Sequence, residues 1–172
     1  MKTRVILTLC VVFVLGVAST ASAQATLIAG SAEDKAFTAA MAAQGDAKIN
    51  LLLDFEKQFP NSKALPDVYN ELISGYNQKN DKANVDAVGE KAVKVDPDNF
   101  TALMALSRNY GLQKKNLDKA VQYAQHAVDV LAKKKAEPRY NEDQAWKSYL
   151  DSTEASARAN LTWLKTVKPP AN

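Results

Sequence analysis

Tyr69, Leu72 and Tyr76 recur as Leu103, Leu106 and Tyr110, each 34 residues later. Val85, Ala92, Val93 and Val95 recur as Ala120, Ala127, Val128 and Val130, each 35 residues later, so one residue is inserted at the turn after Tyr110. This period constrains the chain more than any other feature. A unit of that length holds two helices and a turn, and one such pair is too small to bury its own apolar stripe, so successive pairs must stack. The stretch EKAVKVDPDNFTALMALSRNYG, residues 90–111, shows how the units join. Pro97 cannot continue the helix before it, Asp98 or Asn99 can cap the next, and a similar apolar stripe resumes at once. Asp-Pro-Asp-Asn is the joint that folds one pair back onto another.

Helical spacing extends on both sides of the repeat. Ser31, with Asp34 three residues on, predicts a capped first helix through Phe37 and Met41 to about Ala43. Gly45 ends it, and Asp46 can cap a second helix carrying Ile49, Leu52, Leu53 and Phe55 to Phe59. A third begins near Pro66, where the missing N–H of proline costs nothing, and carries Val68, Tyr69, Leu72, Ile73 and Tyr76. Asn80-Asp81 interrupts before a fourth, Lys82 to Val95, with Val85, Val88, Ala92, Val93 and Val95 on its stripe. The fifth carries Leu103, Leu106, Tyr110 and Leu112, and Lys114-Lys115-Asn116 turns the chain into a sixth from Leu117 to about Lys133. A solvated basic loop, Lys133 to Tyr140, leads to Asn141, which with Gln144 predicts the start of a last long helix through Trp146, Tyr149, Leu150, Leu161 and Leu164. No segment alternates as a strand does, so the pattern is all-α.

The segment 66–99 resembles a tetratricopeptide repeat, with Tyr69 at the position usually occupied by Trp or another large residue, then Leu72, Tyr76, Ala92 at the small position of the second helix and Pro97 at the close. It departs from that family at Ile73 and Gly89, where a small residue and a large aromatic are favoured respectively. The segment 100–134 is similar to a second copy through Leu103, Leu106, Tyr110, Ala120 and Ala127, without the closing proline. Residues 32–65 look like a degenerate first copy, with Phe55 where the small residue belongs. Its exit, FEKQFPNSKALPD, is similar to a turn of exported bacterial tetratricopeptide proteins, including the outer-membrane assembly lipoproteins, although the lipid-bearing cysteine is missing. The resemblance implies an α-solenoid of antiparallel helix pairs over residues 31–167. About seven helices make up two clear units, one degenerate N-terminal unit and a long C-terminal capping helix.

Ahead of that domain, Lys2 and Arg4 precede an apolar run from Val5 to Val17, and Ala21-Ser22-Ala23 supplies the small residues that signal peptidase accepts. Residues 1–23 are therefore expected to be a secretory signal cut between Ala23 and Gln24, with 24–30 a short leader and 168–172 a disordered tail. The run is shorter than a bilayer span, and Cys10 lies inside it after Leu9, unlike the cysteine of a lipoprotein signal. The product is expected to be exported, periplasmic or secreted, with no membrane insertion after cleavage. Without Lys2 and Arg4 the chain has 20 basic residues against 19 acidic, a net charge of +1, which offers no electrostatic device for nucleic acid or anionic lipid. Its single cysteine goes with the signal, so no disulfide is expected in the mature chain.

Catalytic constellations are absent from the pattern. His126 is the single histidine, among Gln122, Gln125 and Asp129 on what reads as a solvated face. Asp96 and Asp98 are explained by the joint, and there is no Gly-rich phosphate loop and no serine nucleophile elbow. No metal, cofactor or enzymatic activity is expected. The resemblance implies instead a module for protein or peptide partners, with the first helix of each pair lining an inner groove. Asn70, Ser74, Asn77 and Gln78 hold those positions in one unit, and Thr101, Met104, Arg108 and Leu112 in the next. That set does not match the Lys/Asn/Arg clamp with which some family members grip a C-terminal carboxylate. The alternatives are a self-associating structural module whose groove is filled by its own chain or a second copy, and an enzyme.

Overall fold

The computed structural model describes residues 27–168. The expected signal and its cleavage point, the first leader residues and the tail from residue 169 lie outside them. Eight helices and no strand are found among the described residues: α1 Ala32–Ala42, α2 Gly45–Gln58, α3 Leu65–Gln78, α4 Lys82–Val95, α5 Phe100–Leu112, α6 Leu117–Lys135, α7 Arg139–Glu142 and α8 Gln144–Val167. Each of α2 to α6 packs on the helix before it, α3 also touches α5, and α8 lies against both α5 and α6. The described residues are all-α, as the absence of strand alternation predicts.

The helix starts are set by short polar side chains. Ser31 Oγ accepts the Asp34 N–H (3.1 Å), and the Asp34 carboxylate reaches back to the Gly30 N–H (2.8 Å), so two otherwise unpaired donors are satisfied. Asp81 caps α4 and Asn99 caps α5, each accepting from the N–H three residues on. Two starts differ from expectation. α2 begins at Gly45, with Gln44 in the capping position, because Gly45 adopts φ +56° and turns the chain one residue early. Asp46 sits in the first turn and pairs with Lys79 (2.6 Å). α8 is capped by Asp143, which accepts the Trp146 N–H at 2.9 Å, and not by Asn141, which belongs to the extra short helix α7.

The inserted residue is visible in the turns. After α3, Asn80 is left-handed (φ 54°) and the Asp81 N–H bonds to the Tyr76 carbonyl at 2.9 Å. After α5, Lys114 is left-handed (φ 51°) and the Lys115 N–H bonds to the Tyr110 carbonyl at 3.0 Å. Both are the same helix-ending turn. Asp81 then caps α4 directly, whereas Asn116, a further left-handed residue at φ 46°, separates the second turn from α6.

Small residues mark the close approaches. Ala92 and Ala127 are fully buried. A methyl group at Gly89 would stand 2.7 Å from Leu106 Cγ, so Leu106 fills the space that the resemblance would give to an aromatic side chain on α4. Phe55, Leu52, Leu72, Leu106, Leu131, Leu150 and Leu164 are fully buried, each contributing about 1.5–3 kcal/mol by leaving water. Val95 is 48% exposed, at the edge of the α4 stripe and the end of that helix, and does not join the core.

Between α4 and α5, Asn109 Nδ2 donates to the Asp86 carboxylate (2.5 Å) and to the Lys82 carbonyl (2.8 Å). Gln113 and Lys115 complete the shell around Asp86. α6 runs on to Lys135, so the first lysines of the expected basic loop are helical, and Lys135 pairs with Asp151 (2.8 Å) and Glu154 (2.7 Å) on α8.

Candidate functional site: a groove between α3, α5 and α8

Helix α3 turns Val68, Tyr69, Leu72, Ile73 and Tyr76 into the core. Asn70, Ser74, Asn77 and Gln78, spaced four, three and one residues apart, are left on another face. On α5 the same argument leaves Thr101, Met104, Arg108 and Leu112, because Ala102, Leu103, Leu106 and Tyr110 are buried. The structure brings seven of these eight together. Asn70, Ser74, Asn77, Gln78, Thr101, Met104 and Arg108 line one cavity of about 460 Å³, with Ile73, Phe100 and Ala105. Leu112, 52% exposed, lies outside it and lines two adjoining hollows of about 340 and 370 Å³. Arg108 borders all three, so they join along α5.

The third wall comes from α8, which the sequence reading treats as a cap. Tyr149 and Thr153 close the largest cavity, and Ser156, Ala159, Asn160 and Trp163 line the hollow beyond Arg108. The signal was present in the sequence: Tyr149, Thr153, Ser156, Asn160 and Trp163 follow helical spacing on a face distinct from that of the buried Leu150, Ala157, Leu161 and Leu164. Asn160 Nδ2 donates to Ser107 Oγ (2.8 Å), and that hydroxyl donates to the Met104 carbonyl (3.0 Å), which seats α8 on α5. Tyr149 stacks on Trp146 with ring centroids 5.5 Å apart and meets Phe100 at 6.4 Å, while the Arg139 guanidinium lies 4.7 Å from the centre of the Trp146 ring.

The floor is apolar, made by Ile73, Phe100 and Met104, and the rim is amide and hydroxyl. No Asp or Glu lines any of the three hollows; their charged residues are Arg108 and Lys82. Arg108 is exposed and makes no ion pair or hydrogen bond with the described residues. Asn70 Oδ1 is buried at the wall with no hydrogen-bond partner, as is Trp146 Nε1 behind Tyr149.

Outside the groove, Glu90 of α4 and Glu56 of α2 each sit among tyrosine and lysine donors from neighbouring helices. Glu90 accepts from Tyr110 (2.6 Å), Lys119 (2.7 Å) and Tyr123 (3.1 Å). Burial works to raise its pKa, but the hydrogen bonds from Lys119, Tyr110 and Tyr123 outweigh that and hold it below the usual carboxylate value. Glu56, 34 residues earlier, accepts from Tyr69 (3.0 Å) and Lys91 (2.7 Å) in the same way. Burial, and then the hydrogen bond and charge of Glu56, push the Tyr69 phenol up to about 12. Both carboxylates are already engaged by neighbouring helices, so they act as struts.

His126 keeps its side chain partly exposed beside the exposed Gln122, Gln125 and Asp129, as expected of a solvated face, and its Nε2 lies 2.8 Å from Asp98 in the turn before α5. Among the described residues no group of three or more His, Cys, Asp or Glu side chains could hold a metal ion, and no helix is long and apolar enough to cross a membrane. In comparison with known proteins, no family model and no characterised relative matches this sequence.

Proposed function

We propose that the chain is a non-catalytic binding scaffold of tetratricopeptide type, an α-solenoid of antiparallel helix pairs that holds a protein or peptide partner in the groove between α3, α5 and α8. The observation that carries this reading is the convergence of seven candidate residues, from two helices one repeat apart, on a single cavity. An apolar floor with an amide-rich rim suits an extended chain, whose backbone needs polar partners while alternate side chains need somewhere dry. From Phe100 to Leu112, α5 rises about 18 Å at 1.5 Å per residue, the length of about five or six residues of extended chain. The ligand is a polypeptide, with no cofactor and no nucleic acid. The pattern of residues 1–23 supports export to the periplasm or beyond, with a mature chain starting at Gln24.

Site-specific photo-crosslinking in an exporting bacterial host tests the reading. A photoreactive residue at Ser74 or Met104 is expected to yield adducts with polypeptide, and one at Lys94 or Gln125, exposed positions outside the groove, is not. Adducts from the outer positions alone would move the binding face. An adduct with a second copy of this chain would identify a self-filled groove. The intact mass of the exported protein should correspond to a chain beginning at Gln24; retention of Lys2, or a lipid adduct on Cys10, would overturn the reading of residues 1–23 as a cleaved signal.

A further inference from the structure

The groove walls are sorted by charge, although the chain as a whole carries nearly as many acids as bases. Helix α5 has no Asp or Glu at all. On α3, Asp67 and Glu71 both stay out of the cavity lining, Glu71 paired with Lys48 of α2, and on α8 both Asp151 and Glu154 pair with Lys135 of α6. The residues that line the three hollows are therefore neutral or positive. The arginines tell the same story: Arg139 meets Asp143 and Arg158 meets Glu154, whereas Arg108, in the middle of the groove, meets no carboxylate. A guanidinium with its fork of donors unused, next to an apolar hollow and without a competing anion, is built to receive a carboxylate from outside. On the α3 wall, the buried Asn70 Oδ1 has no donor among the described residues.

We propose that the groove selects an acidic segment of polypeptide, which seats a bulky apolar side chain in the cavity over Ile73 and Met104 beside Tyr149 and places a carboxylate on Arg108. This rests on the reading of the groove as the binding face and adds the chemistry of the ligand. The carboxylate is a side chain in mid-segment, since the groove is open along α5 on both sides of Arg108. A basic segment is disfavoured because no groove residue can neutralise it.

The probes are end-blocked decapeptides in a Ser-Gly-Ala background, arrayed with one Leu or Phe and two Glu at every spacing, and with Gln or Lys replacing Glu as controls. The tightest are then measured in solution by fluorescence anisotropy. The full chain without residues 1–23 is expected to bind Glu peptides about tenfold more tightly than their Gln counterparts, with the difference shrinking as salt is raised. Arg108→Glu should reverse the order, so that Lys peptides bind best, while its melting temperature stays at the wild-type value. Peptides bound regardless of charge, with binding lost in Met104→Glu, would overturn the acidic selection but leave the groove as the site. Charge-selective binding that survives both Arg108→Glu and Met104→Glu would place the site elsewhere and overturn both readings. Failure of every peptide to bind at about millimolar concentration, where a weak short-peptide complex is still detectable, would also overturn both.

Discussion

Gly111 shows how much a single missing methyl group can decide. A Cβ there would stand 2.4 Å from Leu164 Cδ2 and 2.6 Å from the Trp163 ring, both on α8. Gly111→Ala gains helix propensity of about 1 kcal/mol, yet it should destabilise the protein by about 1–3 kcal/mol because Leu164 is fully buried and cannot yield. Urea denaturation reads the sign directly, and a stabilised variant would mean that α8 does not seat on α5 as described. Ala92→Leu and Ala127→Leu should each destabilise by a similar amount, about 1–3 kcal/mol, since both alanines are fully buried where helices meet. Unchanged melts for both would show that the repeat register is wrong. The two alanines were legible in the sequence because they recur at a fixed spacing. Gly111 was not, because its partners lie more than fifty residues later and belong to no repeat. The same limit hid Tyr149 and Thr153. Their helical face was readable, but nothing local says which helix it would lie beside.

At the scale of elements, the turns and the α6–α8 contact make separate predictions. Lys114 holds a left-handed backbone that glycine adopts freely, so Lys114→Gly should stabilise the chain by about 1 kcal/mol. The same change at Asn80 should give less, since asparagine tolerates that conformation; equal gains at the two sites would contradict the assignment of equivalent turns. Helices α6 and α8 are pinned by Lys135, Asp151, Glu154 and Tyr140. Hydrogen bonds from Lys135, and then from Tyr140, hold the Asp151 carboxyl down at about 2. A carboxyl lowered in the folded state stabilises the fold above its ordinary value and loses that contribution as pH falls through the folded value. The difference in melting temperature between wild type and Asp151→Asn should therefore be constant near neutrality and shrink from about pH 4 down to about pH 2. A difference that widened with acid would exclude this role. Helix boundaries themselves were readable wherever a cap or proline stood alone. They shifted where two candidates competed, as Asn141 and Asp143 did, because α7 takes up Asn141 and leaves Asp143 to cap α8.

For the whole molecule, the all-α architecture followed from pattern alone, but the third wall of the groove is a tertiary fact. Helix α5 is held by α4, α6 and α8, with α3 also in contact, whereas α1 packs chiefly on α2. Deleting residues 144–172 should strip cover from Leu106, Tyr110 and Leu131, lower the melting temperature and open the groove on one side. A truncated chain that melts at the wild-type temperature would show α8 to be an appendage. The unequal support of the helices also gives the protein a mechanical polarity. Pulled from its two ends, it would peel first at α1, which packs chiefly on α2, while α8 at the other end is held by both α5 and α6. A segment bound as proposed along α5 would thus lie on the part of the fold with the most neighbours to release, like a strap fixed at its buckle while the free end frays.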